Sequence, residues 1–136
     1  MALAVLVLRD KKGGSELIIS VDFDGVITEQ DAFPEIGDIA PDCKEVMNRL
    51  RKEGVTWILN TCRVDEYLMD AVMFCVEHKL PIAKANRNLP ERIAMFGGDC
   101  RKISADVYLD DKNLNGFPGW LYVEKEILMM MGRRDS

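Results

Sequence analysis

Short apolar runs alternate with segments of helical periodicity along the chain. The apolar runs predict four buried strands, which are Leu17–Val21, Val55–Asn60, Leu80–Ala85 and Ala105–Leu109. The periodic segments predict four helices, of which the first runs from Pro41 to Gly54 and the others are Asp65–His78, Glu91–Phe96 and Trp120–Met131. Proline is tolerated in the first turn of a helix, and Gly54 is suited to end the first helix.

Strands that alternate with helices at this spacing predict a parallel sheet. We therefore expect an α/β protein with a three-layer Rossmann-like fold, in which residues 1–136 form one domain. Residues 1–16 are expected to be an N-terminal extension, in which Ala2–Leu8 forms a strand that turns back through Lys11–Gly14. Residues 132–136 are expected to be a disordered tail.

Composition narrows the classes of function. The chain has 136 residues, of which 48% are hydrophobic, and its net charge of −5 argues against a generic nucleic-acid binder. The run Ala2–Leu8 is too short to cross a bilayer, so no membrane association is expected. The cysteines are Cys43, Cys62, Cys75 and Cys100, and they form neither a CxxC pair nor a cluster with His78. Neither a zinc site nor a disulfide framework is indicated, and a cytoplasmic location is the simplest expectation.

Polar side chains follow three of the predicted strands. Asp22 and Asp24 follow the first strand, Thr61 follows the second, and the pair Asp110–Asp111 follows the fourth. Parallel strands end at one edge of a sheet, so these groups should converge there. Several carboxylates in one place need a compensating cation, and Mg²⁺ prefers carboxylate and phosphate oxygens. The pattern therefore predicts a site for Mg²⁺ and a phosphate group.

At these residues the sequence resembles the haloacid dehalogenase (HAD) superfamily of phosphohydrolases. The first motif of that family, Asp-x-Asp-Gly with a nearby Thr, is matched by Asp22, Asp24, Gly25 and Thr28. Thr61 matches the second motif, and the acidic pair Asp110–Asp111 matches the fourth. The matches appear in the family's order and span residues 17–113. The resemblance implies a HAD-like fold.

The third motif of the family is a lysine, for which the chain offers two candidates. Lys102 lies eight residues before Asp110, in a Lys-x-x-Ala-Asp sequence like that of some small family members. Lys84 lies at the end of the third predicted strand and is the alternative. Lys102 is favoured because of its lead-in to the acidic pair.

The resemblance implies a Mg²⁺-dependent phosphatase. Asp22 would attack phosphorus to form an aspartyl-phosphate, and Asp24 would act as general acid and then as general base. Thr61 and Lys102 would stabilise charge on the transferred phosphoryl group. Mg²⁺ would be bound by the Asp22 carboxylate, the Asp24 main-chain carbonyl and Asp110, with Asp111 bound directly or through water.

The intervals between the motifs limit the substrate. The interval from Thr28 to Thr61 is filled by a loop, a helix and a strand. The interval from Thr61 to Lys102 is filled by a helix, a short strand and a short helical piece. Neither leaves room for the cap domain of larger family members, so a capless protein is expected. An open site suits a macromolecular substrate, or a homo-oligomer in which a neighbouring subunit closes the cleft. The expected partner is a phosphorylated small molecule or an exposed phosphate on a macromolecule.

Other interpretations of the same residues remain open. Thr61 could cap a helix, and Cys62 could be a small buried hydrophobe. Arg63 could be a surface or ion-pairing residue, or it could assist substrate binding. A non-catalytic or regulatory protein that binds phosphate and Mg²⁺ would keep the same fold. A receiver-type phosphoacceptor domain uses similar groups, but it places the acidic pair on the first strand, the reverse of the order here.

Overall fold

The computed structural model describes residues 17–134, and side chains up to residue 132. The predicted extension 1–16, with its strand Ala2–Leu8, lies outside the described residues, as do residues 135–136. The strands are β1 (Leu17–Val21), β2 (Val55–Leu59), β3 (Ile82–Ala85) and β4 (Val107–Leu109). The helices are α1 (Cys43–Lys52), α2 (Asp65–Glu77), α3 (Pro90–Phe96) and α4 (Trp120–Arg134). Within this part of the chain, no helix is both long and apolar enough to cross a membrane.

The four strands form one parallel sheet in the order β3-β2-β1-β4. Strand β1 is central, and Val21 at its end lies opposite Leu59 of β2 and Leu109 of β4. The predicted α/β Rossmann-like arrangement, a parallel sheet flanked by helices in a single small domain, is confirmed. The three strands that precede polar residues end side by side, which brings those residues to one edge.

Core side chains lie on both faces of the sheet, and the central strand β1 is therefore buried along its whole length. Its alternate residues Leu17, Ile19 and Val21 pack with the helices α1, α2 and α4. Ile18 faces the other way and packs with a smaller cluster, whose other members are Ile58, Ala83, Leu89 and Ile103. A strand buried on both faces reads as a continuous apolar run, which is the pattern seen in the sequence.

Several element boundaries differ from the sequence prediction, by one to three residues. Helix α1 begins at Cys43, so Pro41 lies outside it, and Gly54 follows its end with a φ of +112°. Strand β4 begins at Val107 because the side chain of Asp106 accepts a hydrogen bond from Ile18 N (2.8 Å) in place of a backbone carbonyl. Helix α4 extends to Arg134, so the expected disordered tail was wrong for residues 132–134.

A tight turn, Phe23–Ile27, follows β1 and presents the two aspartates of the first motif. Thr28 closes it, because Thr28 N donates to Phe23 O (3.1 Å) and the Thr28 hydroxyl accepts from Gly25 N (3.2 Å). The buried hydroxyl also donates to Gln30 O (2.9 Å). Thr28 therefore serves the structure of the turn rather than facing a ligand.

Candidate active site

Three carboxylates converge beyond the ends of β1 and β4. Oxygen atoms of Asp22, Asp110 and Asp111 all lie within 4.8 Å of one another. The two strands are neighbours in register, and Asp22 N continues the ladder by donating to Leu109 O (2.9 Å). The convergence that the parallel topology predicted is therefore confirmed for these three side chains.

The electrostatics of this cluster favour a bound cation. Burial, a hydrogen bond with Asp111 and the nearby charges of Asp110 and Asp111 raise the pKa of Asp22 from 3.8 to about 8. The hydrogen bond from Phe23 N to Asp22 Oδ1 (2.9 Å) acts in the opposite direction and is too weak to offset them. At neutral pH the cluster therefore holds a proton where a cation could bind instead. The donor set consists of carboxylate oxygens, which fits Mg²⁺.

Asp24 points away from the carboxylate cluster to Arg63. The guanidinium donates from Nε to Asp24 Oδ2 and from Nη2 to Oδ1, both at 2.8 Å. The Arg63 side chain is 1% exposed and that of Asp24 12%, so this two-point ion pair is shielded from water. Hydrogen bonding to Asp24 raises the pKa of Arg63 above its ordinary value, so Arg63 remains charged.

Thr61 lies at the end of β2 and is held by a side chain from the next strand. Asn86, after β3, accepts from Thr61 N (2.8 Å) and donates to Thr61 O (3.0 Å). The Thr61 hydroxyl accepts a hydrogen bond from Arg63 N (3.1 Å), which leaves its own O–H able to point into the cavity. The helix-cap interpretation was wrong, because α2 begins at Asp65 and Val64 occupies its N-cap position.

A cavity of about 430 Å³ joins these groups. It is lined by Asp22, Asp24, Asp31, Phe33 and residues 60–63 and 110–112. Cys62 lines this cavity and is exposed, so the buried-hydrophobe interpretation was wrong for it. Cys43 and Cys75 are buried and free, and burial raises the pKa of the Cys75 thiol to about 12, which makes it unreactive.

Neither candidate lysine lines the cavity. The ammonium of Lys102 lies 5.2 Å from the centre of the Tyr108 ring, and its side chain is exposed to solvent. Lys84 is half-buried on β3, where it pairs in register with Ile58. Among the described residues, the basic side chains that line the cavity belong to Arg63 and Lys112. Lys112 Nζ lies 3.8 Å from Asp111 Oδ2.

Sequence reasoning missed three residues of the site. Arg63 was expected at the surface or in an ion pair; the ion pair is present, but the side chain is buried. The spacing Thr61-x-Arg63 becomes informative only in the fold, where Arg63 N donates to the Thr61 hydroxyl and the Arg63 side chain pairs with Asp24. Asn86 and Lys112 belong to no motif in the sequence, and Lys112 directly follows the acidic pair.

The fold and the site together define a class: parallel α/β proteins with carboxylates gathered beyond the ends of two adjacent strands. No protein-family model matches the sequence, and no curated protein matches it significantly. The solved structure of a conserved protein coded by a locus of Bacteroides thetaiotaomicron is similar, with a TM-score of 0.76 and 34% sequence identity. The match covers 85% of this chain and 93% of that one. The chain belongs to the family of this conserved protein.

Proposed function

We propose that the protein is a Mg²⁺-dependent phosphohydrolase that cleaves phosphomonoesters through an aspartyl-phosphate. The observation that carries this proposal is the position of Asp22 in the cavity lining, where its carboxylate oxygen lies within 4.8 Å of oxygens of Asp110 and Asp111. A phosphate group would be drawn to a cation held there, next to the Thr61 hydroxyl. The order of these residues along the chain, which resembles that of the HAD superfamily, supports the same reaction.

Asp22 is the proposed nucleophile. One of its oxygens forms a bond to phosphorus while the bond between phosphorus and the ester oxygen breaks, and the released alcohol takes up a proton. A water oxygen then attacks the phosphorus of the aspartyl-phosphate, which returns Asp22 as a carboxylate and releases inorganic phosphate. Covalent catalysis of this kind divides one difficult displacement into two easier ones.

Asp24 is the proposed general acid and base. It would give a proton to the ester oxygen in the first step and take one from the attacking water in the second. Asp22 and Asp24 line the same cavity, which supports a role for both in one reaction. Both oxygens of Asp24 accept one hydrogen bond from Arg63, and each keeps a second lone-pair site that could carry the transferred proton.

The carboxylates of Asp22, Asp110 and Asp111 and the main-chain carbonyl of Asp24 would hold Mg²⁺. When bound, the ion neutralises these carboxylates and the phosphoryl oxygens, which lowers their mutual repulsion. The Thr61 O–H would donate a hydrogen bond to a phosphoryl oxygen, while the guanidinium of Arg63 balances the charge of Asp24. The resemblance also implies that Lys102 stabilises charge on the phosphoryl group, and this role stays a proposal. The Lys102 ammonium lies over Tyr108 and does not line the cavity.

The test compares phosphate release from an aryl phosphate by the wild type and by Asp22→Asn, with Mg²⁺ and with chelator. We expect turnover by the wild type with Mg²⁺ and a loss of at least about 10³-fold in Asp22→Asn. Glu77→Gln, at an exposed position at the end of α2, removes the same charge outside the site and should retain activity. Undiminished turnover by Asp22→Asn would rule out the nucleophile assignment.

A non-catalytic protein that binds phosphate and Mg²⁺ is the second candidate. The observation that favours it is the position of Lys102 and Lys84, neither of which lines the cavity. This candidate predicts that Mg²⁺ and inorganic phosphate bind in calorimetry while no phosphomonoester is turned over. Asp22-dependent turnover would exclude this candidate. Rapid hydrolysis of the aspartyl-phosphate would exclude a receiver-like domain.

A further inference from the structure

The most completely bonded charged side chain near the cavity is that of Arg63. It is 2% exposed, although arginine is rarely buried in folded proteins. Four of its five N–H groups have acceptors, because besides the two bonds to Asp24, Nη2 donates to Glu35 O (2.7 Å) and Nη1 to Pro34 O (3.3 Å). A planar fork suits this arrangement, which a lysine ammonium could not reproduce.

Two aromatic rings complete the enclosure of Arg63. Its guanidinium carbon lies 5.2 Å from the centre of the Phe23 ring and 5.0 Å from that of Phe33. Phe33 in turn packs edge-on against Tyr67 of α2, with ring centres 5.3 Å apart. Phe23 belongs to the turn after β1, whereas Phe33 belongs to the segment 29–38, so Arg63 joins two separate pieces of backbone.

The segment 29–38 forms one wall of the cavity. It contributes Asp31 and Phe33 to the lining, and its two ends are tied together by the antiparallel bridge between Thr28 and Ile39. The carbonyls of Pro34 and Glu35 that bind Arg63 lie in the middle of this segment. One guanidinium therefore fixes both a side chain of the proposed reaction and the wall beside it.

We propose that Arg63 is the residue that positions Asp24 for proton transfer to the leaving group. The proposal rests on the function proposed above and adds a role for a residue outside the motifs that suggested it. Arg63 holds Asp24 at a fixed place in the cavity and ties this place to the segment 29–38. Its loss should therefore impair the proton transfer that Asp24 performs more than the attack that Asp22 performs.

Stability alone does not require this ion pair. Burying two charges carries a desolvation penalty that their attraction seldom exceeds, and apolar side chains of similar volume are often at least as stable. A bidentate pair does, however, restrict a carboxylate to one orientation, which proton transfer requires. A merely structural role and a positioning role predict different kinetics, and the difference can be measured.

The experiment measures kcat/KM for a series of phosphomonoesters whose leaving groups range from acidic phenols to simple alcohols. An acidic phenol departs without a proton, whereas an alcohol needs the general acid. The variants are Arg63→Met, Arg63→Lys, Asp24→Asn and the double variant of Arg63→Met with Asp24→Asn. Arg49→Met is the matched control, because Arg49 makes a similar two-point pair with Glu124 (2.7 and 3.0 Å) between α1 and α4.

We expect Arg63→Met to lose about 10²-fold on alkyl phosphates and less than about 10-fold on activated aryl phosphates. Arg63→Lys, which keeps the charge but not the fork, should fall between Arg63→Met and the wild type. The double variant should lose no more than Asp24→Asn alone, because both changes remove the same proton transfer. Arg49→Met should match the wild type across the series.

Equal losses for all leaving groups in Arg63→Met would overturn the inference, since a smaller folded fraction lowers every rate alike. If circular dichroism shows that Arg63→Met does not fold, the Arg63→Lys variant provides the test. A folded Arg63→Lys protein with the wild-type dependence on the leaving group would then overturn the inference. These outcomes leave the proposed function standing. A wild type without Asp22-dependent turnover overturns that function and this inference together, so the two failures are distinguishable.

Discussion

Gly25 and Asp111 approach so closely that position 25 cannot carry a side chain. A methyl group there would lie 2.6 Å from Oδ2 and 3.0 Å from Cβ of Asp111, and Gly25 has a φ of +87°. The backbone of the turn after β1 therefore lies directly against the side chain of Asp111, which belongs to the acidic pair after β4. This approach allows Asp111 to share the cluster with Asp22.

Gly25→Ala should weaken the candidate metal site. The left-handed backbone costs a residue with a Cβ about 1–2 kcal/mol, and the new methyl group must displace Asp111. We expect a lower free energy of unfolding in urea and a Mg²⁺ affinity reduced about tenfold in calorimetry. Gly98→Ala is the control, because nothing lies within 4 Å of a methyl group there. An unchanged Mg²⁺ affinity in Gly25→Ala would mean that Asp111 is not held as described.

Asp22→Asn should stabilise the metal-free protein at alkaline pH. The pKa of Asp22 is raised from 3.8 to about 8, so between these values the folded protein binds more protons than the unfolded chain. The contribution of Asp22 to stability is then present below about pH 4 and is lost as the pH rises toward 8. Asparagine removes this dependence, and after allowance for screening by solvent we expect a gain on the order of 1 kcal/mol at pH 8.

Urea unfolding between pH 4 and pH 9 in the presence of chelator measures this effect. The Asp22→Asn protein should lose less stability than the wild type across the range. Asp70→Asn has the same change of charge at an exposed site and should follow the wild type. Parallel curves for Asp22→Asn and the wild type would show that the carboxylates do not repel one another in the folded protein.

Binding of Mg²⁺ should release protons near neutral pH. A carboxylate ligand must be ionised, and the raised pKa of Asp22 means that the metal-free protein holds a proton at pH 7. We expect about one proton released for each ion bound at pH 7 and almost none at pH 9. Calorimetry in two buffers of different ionisation enthalpy gives this number, and Asp22→Asn should release none. Heats that do not depend on the buffer at pH 7 would contradict the prediction.

Asn86→Gly should loosen Thr61. Asn86 bonds both the N–H and the C=O of Thr61, and its φ of +54° is tolerated by glycine, so this change removes the side chain without straining the backbone. We expect a loss of about 1–3 kcal/mol in stability and a lower kcat on aryl phosphates. Asn115→Gly, at an exposed position, should change neither quantity. A stable Asn86→Gly variant with the wild-type kcat would show that Thr61 is held by β2 alone.

The sequence by itself determined the elements and their order. The apolar run Leu17–Val21 predicts a strand buried on both faces, and β1 is the central strand with all five residues buried. Parallel pairing then brings Asp22 to the acidic pair after β4, because adjacent parallel strands end at the same edge. These outcomes follow from local hydrophobic patterning and chain direction, which a sequence contains.

The tertiary structure alone decided which side chains meet across the site. Arg63 and Asp24 are 39 residues apart, and no periodicity relates them; the turn after β1 and the segment before α2 face each other only in the folded chain. The same holds for Asn86 with Thr61 and for Lys102, which lies over Tyr108 because its segment runs outside the cavity. Hydrogen bonds between distant residues depend on packing in three dimensions, and a one-dimensional pattern does not specify them.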